Sequence, residues 1–139
     1  MSAAVFAVDT SLSVPFLTQT HPLHGQARAW ARPRTLWLSG HAAAETYSVL
    51  TRLPGDVRLT PDQAAEVIDR GFAGVLTLPD GIGAEIHREL ARAAVAGGSV
   101  YDALVALAAK ANGAVLATRD KRAFPTYQAV GAEAALVAF

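Results

Sequence analysis

The stretch SVYDALVALAAKANGAVLA, residues 99–117, contains the signals that decide the fold. Its first thirteen residues are rich in Ala and Leu, which are strong helix formers. Asn112-Gly113 is a frequent helix stop, and the apolar run 114–117 follows directly. The stretch predicts a helix over Ser99–Ala111, capped by Ser99, and then a buried strand. Such a succession is typical of α/β proteins.

The same alternation extends along the rest of the chain. Further apolar runs that predict strands lie at residues 4–8, 35–38, 74–78 and 135–138. The other predicted helices are residues 41–53, a helix that begins with a capping box at Thr60, and residues 82–96. We expect a single domain over residues 1–139, with an α/β fold and a mainly parallel, doubly wound sheet.

Composition narrows the class of protein. The chain has 139 residues, is 52% hydrophobic and contains no cysteine. These values exclude a disordered chain, a disulfide scaffold and a zinc site built on Cys. No run of about 18 apolar residues is present and the first residues lack a basic region, so we expect a cytoplasmic protein without membrane contact. The balance of 12 basic and 12 acidic residues argues against a broadly basic surface for nucleic acid.

Four acidic residues are predicted to meet at one edge of the sheet. Asp9 directly follows the first strand, and Asp120 lies three residues beyond the run 114–117. Glu45 and Asp102 lie in the first turns of helices that begin at the same edge. Because sites in doubly wound sheets form at the carboxyl ends of the strands, these four carboxylates are expected to converge.

The surroundings of these acids favour a metal site. Asp102 lies in VYDALV and Glu45 in AAAETY, where few neighbours are polar. Clustered carboxylates repel one another, and a divalent cation removes that repulsion. Mg²⁺ is usually held by one or two carboxylates together with water and phosphate. The alternative is that Glu45 and Asp102 only stabilise helix N-termini and that Asp9 is a turn residue.

Four segments that contain these acids carry a family resemblance. They are AVDTS at residues 7–11, HAAAETYSVLTRL at 41–53, VYDALVALA at 100–108 and LATRDKRAF at 116–124. Successive acids are separated by 36, 57 and 18 positions. With these segments the chain resembles the PIN-domain family and, more narrowly, the VapC-type toxin ribonucleases of toxin–antitoxin pairs.

The resemblance implies a fold, an activity and partners. The fold would be a three-layer α/β/α sandwich, and the activity that of a Mg²⁺-dependent endoribonuclease, with Mn²⁺ as a substitute. The substrate would be cellular RNA such as tRNA or rRNA, and the partners a small VapB-type antitoxin and a second copy of the chain. The family's acidic quartet maps onto Asp9, Glu45, Asp102 and Asp120, and its small hydroxyl residue onto Thr118.

Phosphodiester hydrolysis fits these residues without a protein nucleophile, because bound Mg²⁺ activates water and neutralises phosphate. We assign Asp9 and Asp102 as the main metal ligands and Asp120 as a ligand, directly or through water. Glu45 is either a ligand or the base that orients the attacking water.

Further residues beside the acids are candidates for supporting roles. Three hydroxyl residues either support the acids or act only in turns and caps: Thr10, Ser11 and Thr118. Three basic residues either hold RNA phosphates or form a solvated loop: Arg119, Lys121 and Arg122. Many family members carry another His or polar residue shortly after the last acid, whereas this chain continues with KRAF.

Three other classes are weighed against this interpretation. A haloacid-dehalogenase-type phosphatase needs a second Asp two residues after the first, and Ser11 stands there. A receiver domain needs neighbouring acids near the first strand, where Asp9 is alone. A PIN-like binding module without catalysis is the third, and the intact quartet argues against it.

The neutral net charge is compatible with a metal nuclease. Setting the four proposed site acids aside leaves eight acidic residues against 12 basic ones, a balance of +4. The neutral total is then the average of an acidic pocket and a mildly basic remainder. One or two bound Mg²⁺ ions would remove most of the repulsion between that pocket and RNA.

Overall fold

A five-stranded parallel sheet forms the centre of the computed structural model, which describes residues 4–139. The strands are β1 (Phe6–Val8), β2 (Leu36–Ser39), β3 (Val75–Leu76), β4 (Val115–Thr118) and β5 (Ala134–Leu136). The helices are α1 (Thr10–Leu17), α2 (His24–Ala31), α3 (Ala42–Thr51), α4 (Pro61–Gly71), α5 (Asp80–Ala84), α6 (Ile86–Arg92), α7 (Ser99–Ala111) and α8 (Phe124–Ala129). A short 3₁₀-helix, Gly55–Val57, precedes α4.

The strand order is β3-β2-β1-β4-β5, so the first three strands extend the sheet to one side of β1 and the last two extend it to the other. The order therefore reverses between β1 and β4. Because parallel crossovers are right-handed, this reversal places the helices of the two halves on opposite faces of the sheet. On one face α1 packs against α2 and α3, and α3 packs against α4. On the other, α7 packs against α8 and against β2 and β4. The predicted three-layer α/β/α sandwich with a parallel sheet is confirmed.

The register of the central strands aligns their carboxyl ends. Val8 of β1 pairs with Leu38 on one side and with Ala117 on the other. The residues that follow, Asp9 and Thr118 among them, therefore leave the sheet at the same level. In a doubly wound sheet this reversal point is where ligands bind.

Small residues bring α7 and α3 close to the central strands. Ala103, Ala106 and Ala108 of α7 are fully buried. Gly40, which joins β2 to α3, has a φ of +51°, and a Cβ there would lie 2.9 Å from the Cβ of Ala108. Glycine is therefore required at this turn both for its backbone conformation and for lack of space.

Several local features differ from the sequence prediction, and α8 was not among the predicted helices. Helix α1 was not predicted because it contains Pro15 and a run of Ser and Thr; its buried side chains and the Asp9 cap stabilise it. The helix predicted over 82–96 is two short helices that end at Arg92, with a break at Glu85 (φ −111°, ψ 19°). Ser99 is the first residue of α7 and forms no side-chain cap.

The capping box predicted at Thr60 is confirmed. The Thr60 hydroxyl accepts a hydrogen bond from the Gln63 amide at 3.2 Å, and the Gln63 side chain accepts one from the Thr60 amide at 2.9 Å. Within residues 4–139, every helix is too short or too polar to cross a membrane.

Candidate active site

Asp9 is the most enclosed of the four predicted acids. It follows β1, caps α1 and is 4% exposed. One carboxylate oxygen accepts hydrogen bonds from the amide (3.1 Å) and the hydroxyl of Ser11. The other accepts from the hydroxyls of Thr118 and, at 2.7 Å, Tyr127. These donors hold the carboxylate in one orientation at the point where the strand order reverses.

The environment of Asp9 opposes its negative charge. Burial raises the pKa of this carboxyl, the hydrogen bonds from Ser11, Thr118 and Tyr127 lower it in part, and the nearby Asp120 raises it further. The raised pKa means that the folded protein accommodates the ionised carboxylate poorly without a counter-charge. A cation bound at Asp9 would supply that charge.

Asp120 is held by the backbone that follows β4. Its amide donates to the Thr118 hydroxyl at 2.9 Å. Its carboxylate accepts hydrogen bonds from the amides of Arg122 (2.9 Å) and Ala123 (3.1 Å). Asp120 therefore shapes the turn that leads into α8, and its charge acts on the neighbouring Asp9.

Glu45 reaches the same edge from the first turn of α3. Its carboxylate lies 3.4 Å from the Thr10 hydroxyl and 3.4 Å from His41 Nε2. Burial raises the pKa of Glu45, His41 and Thr10 lower it, and the charges of Asp102 and Asp9 raise it. The charges of Asp102 and Asp9 therefore act on Glu45 from the same edge of the sheet.

Asp102 lies in the first turn of α7, with its side chain 18% exposed. Arg122 connects it to Asp120, because the guanidinium lies 3.2 Å from a carboxylate oxygen of each. The two carboxylates raise the pKa of Arg122. The Arg122 side chain, itself exposed, thus supplies positive charge between two of the three predicted metal ligands.

The donor set matches what Mg²⁺ or Mn²⁺ binds. Hard divalent cations prefer carboxylate oxygens and water, and Mg²⁺ keeps several waters when bound to one or two carboxylates. In the part of the chain that the structure describes, no three His, Asp or Glu side chains lie in a ready-made metal-binding arrangement.

The three predicted supporting hydroxyls all contact the acids. Thr10 donates to Glu45, and Ser11 and Thr118 donate to Asp9. The Ser11 and Thr118 hydroxyls lie 3.2 Å apart, and Ser11 also accepts from the Arg119 amide at 2.8 Å. This hydroxyl network joins the ends of β1 and β4.

The three basic residues after β4 have separate surroundings. The Arg119 guanidinium donates to the Phe139 carbonyl at 2.7 Å and lies 4.5 Å from the centre of that ring, so it is engaged in packing. Lys121 is exposed. Arg122 contacts the acids themselves. Of the three, only Lys121 and Arg122 present their charge at the surface beside the acidic cluster.

Two contacts of the site were not predicted from the sequence. Tyr127 lies 118 positions from Asp9 and is buried, and no local pattern marks it. The second contact is the stacking of His41 on Tyr101, with ring centroids 5.2 Å apart. The one local signal is the spacing of His41, which stands four positions before Glu45 and therefore indicates a contact between these two side chains.

The chain is similar to known proteins over most of its length. Residues 6–129 match the model of the PIN domain. Ribonuclease VapC27 of Mycobacterium tuberculosis is 49% identical over 132 residues, which cover 95% of this chain and 96% of that protein. Ribonuclease VapC40 of the same species is 42% identical over 134 residues, covering 96% and 99% of the two chains.

Two solved structures share the fold. One is VapBC2 from Rickettsia felis bound to a DNA fragment from its promoter, with a TM-score of 0.63 and 16% identity, covering 96% of this chain and 99% of that one. The other is DNA-bound VapBC from Salmonella typhimurium, with a TM-score of 0.63 and 19% identity, covering 96% and 98%.

The family match sets aside the haloacid-dehalogenase and receiver alternatives. In agreement, the position two residues after Asp9 is a serine that donates to Asp9, where the phosphatase class needs a second carboxylate. The chain belongs to the PIN-domain family and, within it, to the VapC-type ribonucleases.

Proposed function

We propose that the protein is a Mg²⁺-dependent endoribonuclease that hydrolyses phosphodiester bonds in cellular RNA and acts as the toxin of a toxin–antitoxin pair. The observation that carries the proposal is the placement of Asp9, Glu45, Asp102 and Asp120 at the carboxyl edge of the sheet, where Arg122 lies 3.2 Å from both Asp102 and Asp120. The ribonuclease names of the two relatives support the reaction class.

Three of the carboxylates would bind the metal ion. Asp9 and Asp102 would hold the ion, and Asp120 would contact it directly or through water. When bound, a divalent ion neutralises the phosphate and lowers the pKa of a water molecule. Asp9 is suited to this role because Ser11 and Tyr127 restrain its carboxylate before any ligand arrives.

Glu45 would act as a ligand or as the base that orients the attacking water. It is less enclosed than Asp9, and Thr10 and His41 contact its two different oxygens. These contacts orient the carboxylate, which a water-positioning base requires.

The decisive experiment is cleavage of total RNA in Mg²⁺ by the wild-type protein and by Asp9→Asn and Asp102→Asn. Asp62→Asn is the matched control, because Asp62 is an exposed acid in the first turn of α4. We expect cleavage by wild type and by the control only, and none after chelation of the metal. Equal cleavage by all four proteins would refute the assignment, and sequencing of the new RNA ends identifies the substrate and the bond.

Glu45→Gln separates the two roles of Glu45. If Glu45 is a base, this variant loses cleavage but binds Mn²⁺ with wild-type affinity in calorimetry. If it is a ligand, cleavage and Mn²⁺ affinity fall together. A variant with normal cleavage would show that Glu45 has neither role.

A VapB-type antitoxin, a second copy of the chain and a cytoplasmic location complete the proposal. The two structural neighbours are VapBC assemblies, which supports an antitoxin partner. We expect expression of the protein to arrest growth and co-expression of a short neighbouring reading frame to restore it. Light scattering of the purified chain tests for the dimer, and cell fractionation tests the location.

A catalytically inactive PIN-like binding module is the remaining alternative. It predicts RNA or antitoxin binding with no metal-dependent cleavage by the wild-type protein. The total-RNA experiment therefore decides between the two.

A further inference from the structure

Tyr101 is an exposed aromatic residue beside the acidic cluster. It lies in the first turn of α7, immediately before Asp102, and is 55% exposed, more than any other large hydrophobic residue in the described chain. Exposure of an aromatic ring costs free energy that burial would recover. An accessible tyrosine at the edge of a site is therefore a candidate contact for a ligand.

The ring is held in place from one side. His41 stacks on it, with centroids 5.2 Å apart and an angle of 29° between the planes. His41 is in turn restrained by Glu45, whose carboxylate lies 3.4 Å from Nε2. The aromatic pair thus joins the start of α7 to the start of α3, and it borders two of the four acids.

An aromatic surface restrained in this way fits a nucleobase. Bases stack on exposed Tyr and His rings in proteins that bind single-stranded nucleic acid, and every base has a flat face for this contact. A base inside a duplex is already stacked on its neighbours, so the ligand must be an unpaired nucleotide. The position next to Glu45 and Asp102 would place that base close to a phosphate held at the acids.

We propose that Tyr101, supported by His41, is a stacking platform for an unpaired nucleobase adjacent to the scissile phosphate. This inference rests on the proposed ribonuclease function and assigns the contact with an unpaired base to one exposed ring, that of Tyr101. Tyr101 then contributes to RNA affinity and to the position of the cleaved bond, without taking part in the chemistry.

The test uses an oligoribonucleotide that carries the sequence cut in the total-RNA experiment. KM and kcat are measured in Mg²⁺ for wild type, Tyr101→Ala, Tyr101→Phe and the control Tyr47→Ala. Tyr47 is also an exposed tyrosine, 37% accessible, and lies two positions beyond Glu45 on a different side of α3. We expect Tyr101→Ala to raise KM by roughly 5- to 100-fold with a much smaller change in kcat, the range of a lost base stack. Tyr47→Ala should behave as wild type, and Tyr101→Phe, which keeps the ring, should restore most of the affinity that Tyr101→Ala loses.

A second series of substrates identifies the base that stacks on Tyr101. Oligoribonucleotides that lack one base at each position around the cut are compared on wild type and Tyr101→Ala. Removal of the base at one position beside the cut should weaken binding to wild type. The same removal should have little further effect on Tyr101→Ala, because both changes eliminate the same stacking contact.

Three results would contradict the proposed role of Tyr101 as a stacking platform. One is an unchanged KM for Tyr101→Ala, and another is additive loss at every abasic position. The third is a change in oligomeric state or antitoxin binding with RNA binding intact, which would identify Tyr101 as a protein contact. If wild type cleaves RNA, these results reject only the platform, whereas absence of cleavage by wild type rejects the proposed function with it.

Discussion

The hydroxyl of Tyr127 donates a hydrogen bond to Asp9 at 2.7 Å, across 118 positions of the chain. Tyr127 is buried on α8, and Asp9 directly follows β1, so the bond joins the last helix to the end of the first strand beside the other acids. Burial and the adjacent Asp9 charge both raise the pKa of Tyr127. The tyrosine therefore remains a proton donor to Asp9 throughout the neutral range.

Tyr127→Phe should weaken metal binding while preserving the core. The ring stays in place, but Asp9 loses one of the hydrogen bonds that lower its pKa, so its ionised form becomes less favourable. We expect weaker Mn²⁺ binding by calorimetry and a loss of about 1–3 kcal/mol in the free energy of unfolding. Tyr47→Phe, at an exposed position, is the control. Unchanged Mn²⁺ affinity in Tyr127→Phe would show that the bond does not tune Asp9.

The stability of the metal-free protein should fall as the pH rises from about 4 toward neutral. The pKa values of Asp9 and Glu45 are raised in the folded state, so in this range the folded chain binds more protons than the unfolded chain. The free energy of unfolding then decreases with pH until both groups are ionised. Urea unfolding of the chelated protein across this range measures the slope.

Asp9→Asn isolates the contribution of Asp9 to that slope. The amide carries no charge to bury, so the variant should be at least as stable as wild type at neutral pH without metal, and its pH slope should be shallower. Mg²⁺ should stabilise wild type and have little effect on the variant. An identical pH profile in the two proteins would contradict the proposed cost of ionised Asp9.

Arg122→Ala should tighten the binding of a divalent ion. The guanidinium now lies 3.2 Å from oxygens of both Asp102 and Asp120, and a metal ion on these carboxylates would compete with it. Because exposed ion pairs contribute only about 0–1 kcal/mol each, the gain in Mn²⁺ affinity should be roughly two- to tenfold.

Arg70→Ala is the matched control for Arg122, since Arg70 is an equally exposed arginine paired with Glu66 on α4. Its Mn²⁺ affinity should equal that of wild type. Weaker Mn²⁺ binding by Arg122→Ala would mean that Arg122 organises the two carboxylates for the ion instead of competing with it.

Gly40→Ala should destabilise the protein more than Gly113→Ala. Both glycines have positive φ, +51° and +65°, and both variants bear the strain of a left-handed Ala, about 1–2 kcal/mol. Only at Gly40 does the new Cβ meet Ala108, which adds an overpacking cost of about 1–3 kcal/mol. Urea unfolding measures the free energy of unfolding of the two variants. Equal decreases would indicate that α7 shifts to accommodate the new methyl group without an added cost.

The α/β class, the parallel sheet and the acidic quartet follow from local patterns in the sequence. Apolar runs, the capping box at Thr60 and the stop at Asn112-Gly113 report the backbone conformation of their own neighbourhoods. The rule that sites form at the carboxyl ends of parallel strands then brings Asp9 and Asp120 together without any coordinates.

Local patterns failed where packing outweighed propensity. Helix α1 contains Pro15 and forms because its buried face and the Asp9 cap offset the poor helix propensity of its residues. The stretch 82–96 has a helical composition, but the non-helical backbone of Glu85 divides it.

The sequence by itself determined which residues carry charge and which ends of which strands they follow. Tertiary structure decided the partners: Tyr127 on Asp9, Arg122 between Asp102 and Asp120, and Tyr101 stacked on His41. Periodicity and capping depend on residues within a turn or two, and so they can be found in the chain. The contact between Tyr127 and Asp9 spans 118 positions and depends on the strand order, in which β4 lies next to β1. Only the folded chain contains that information.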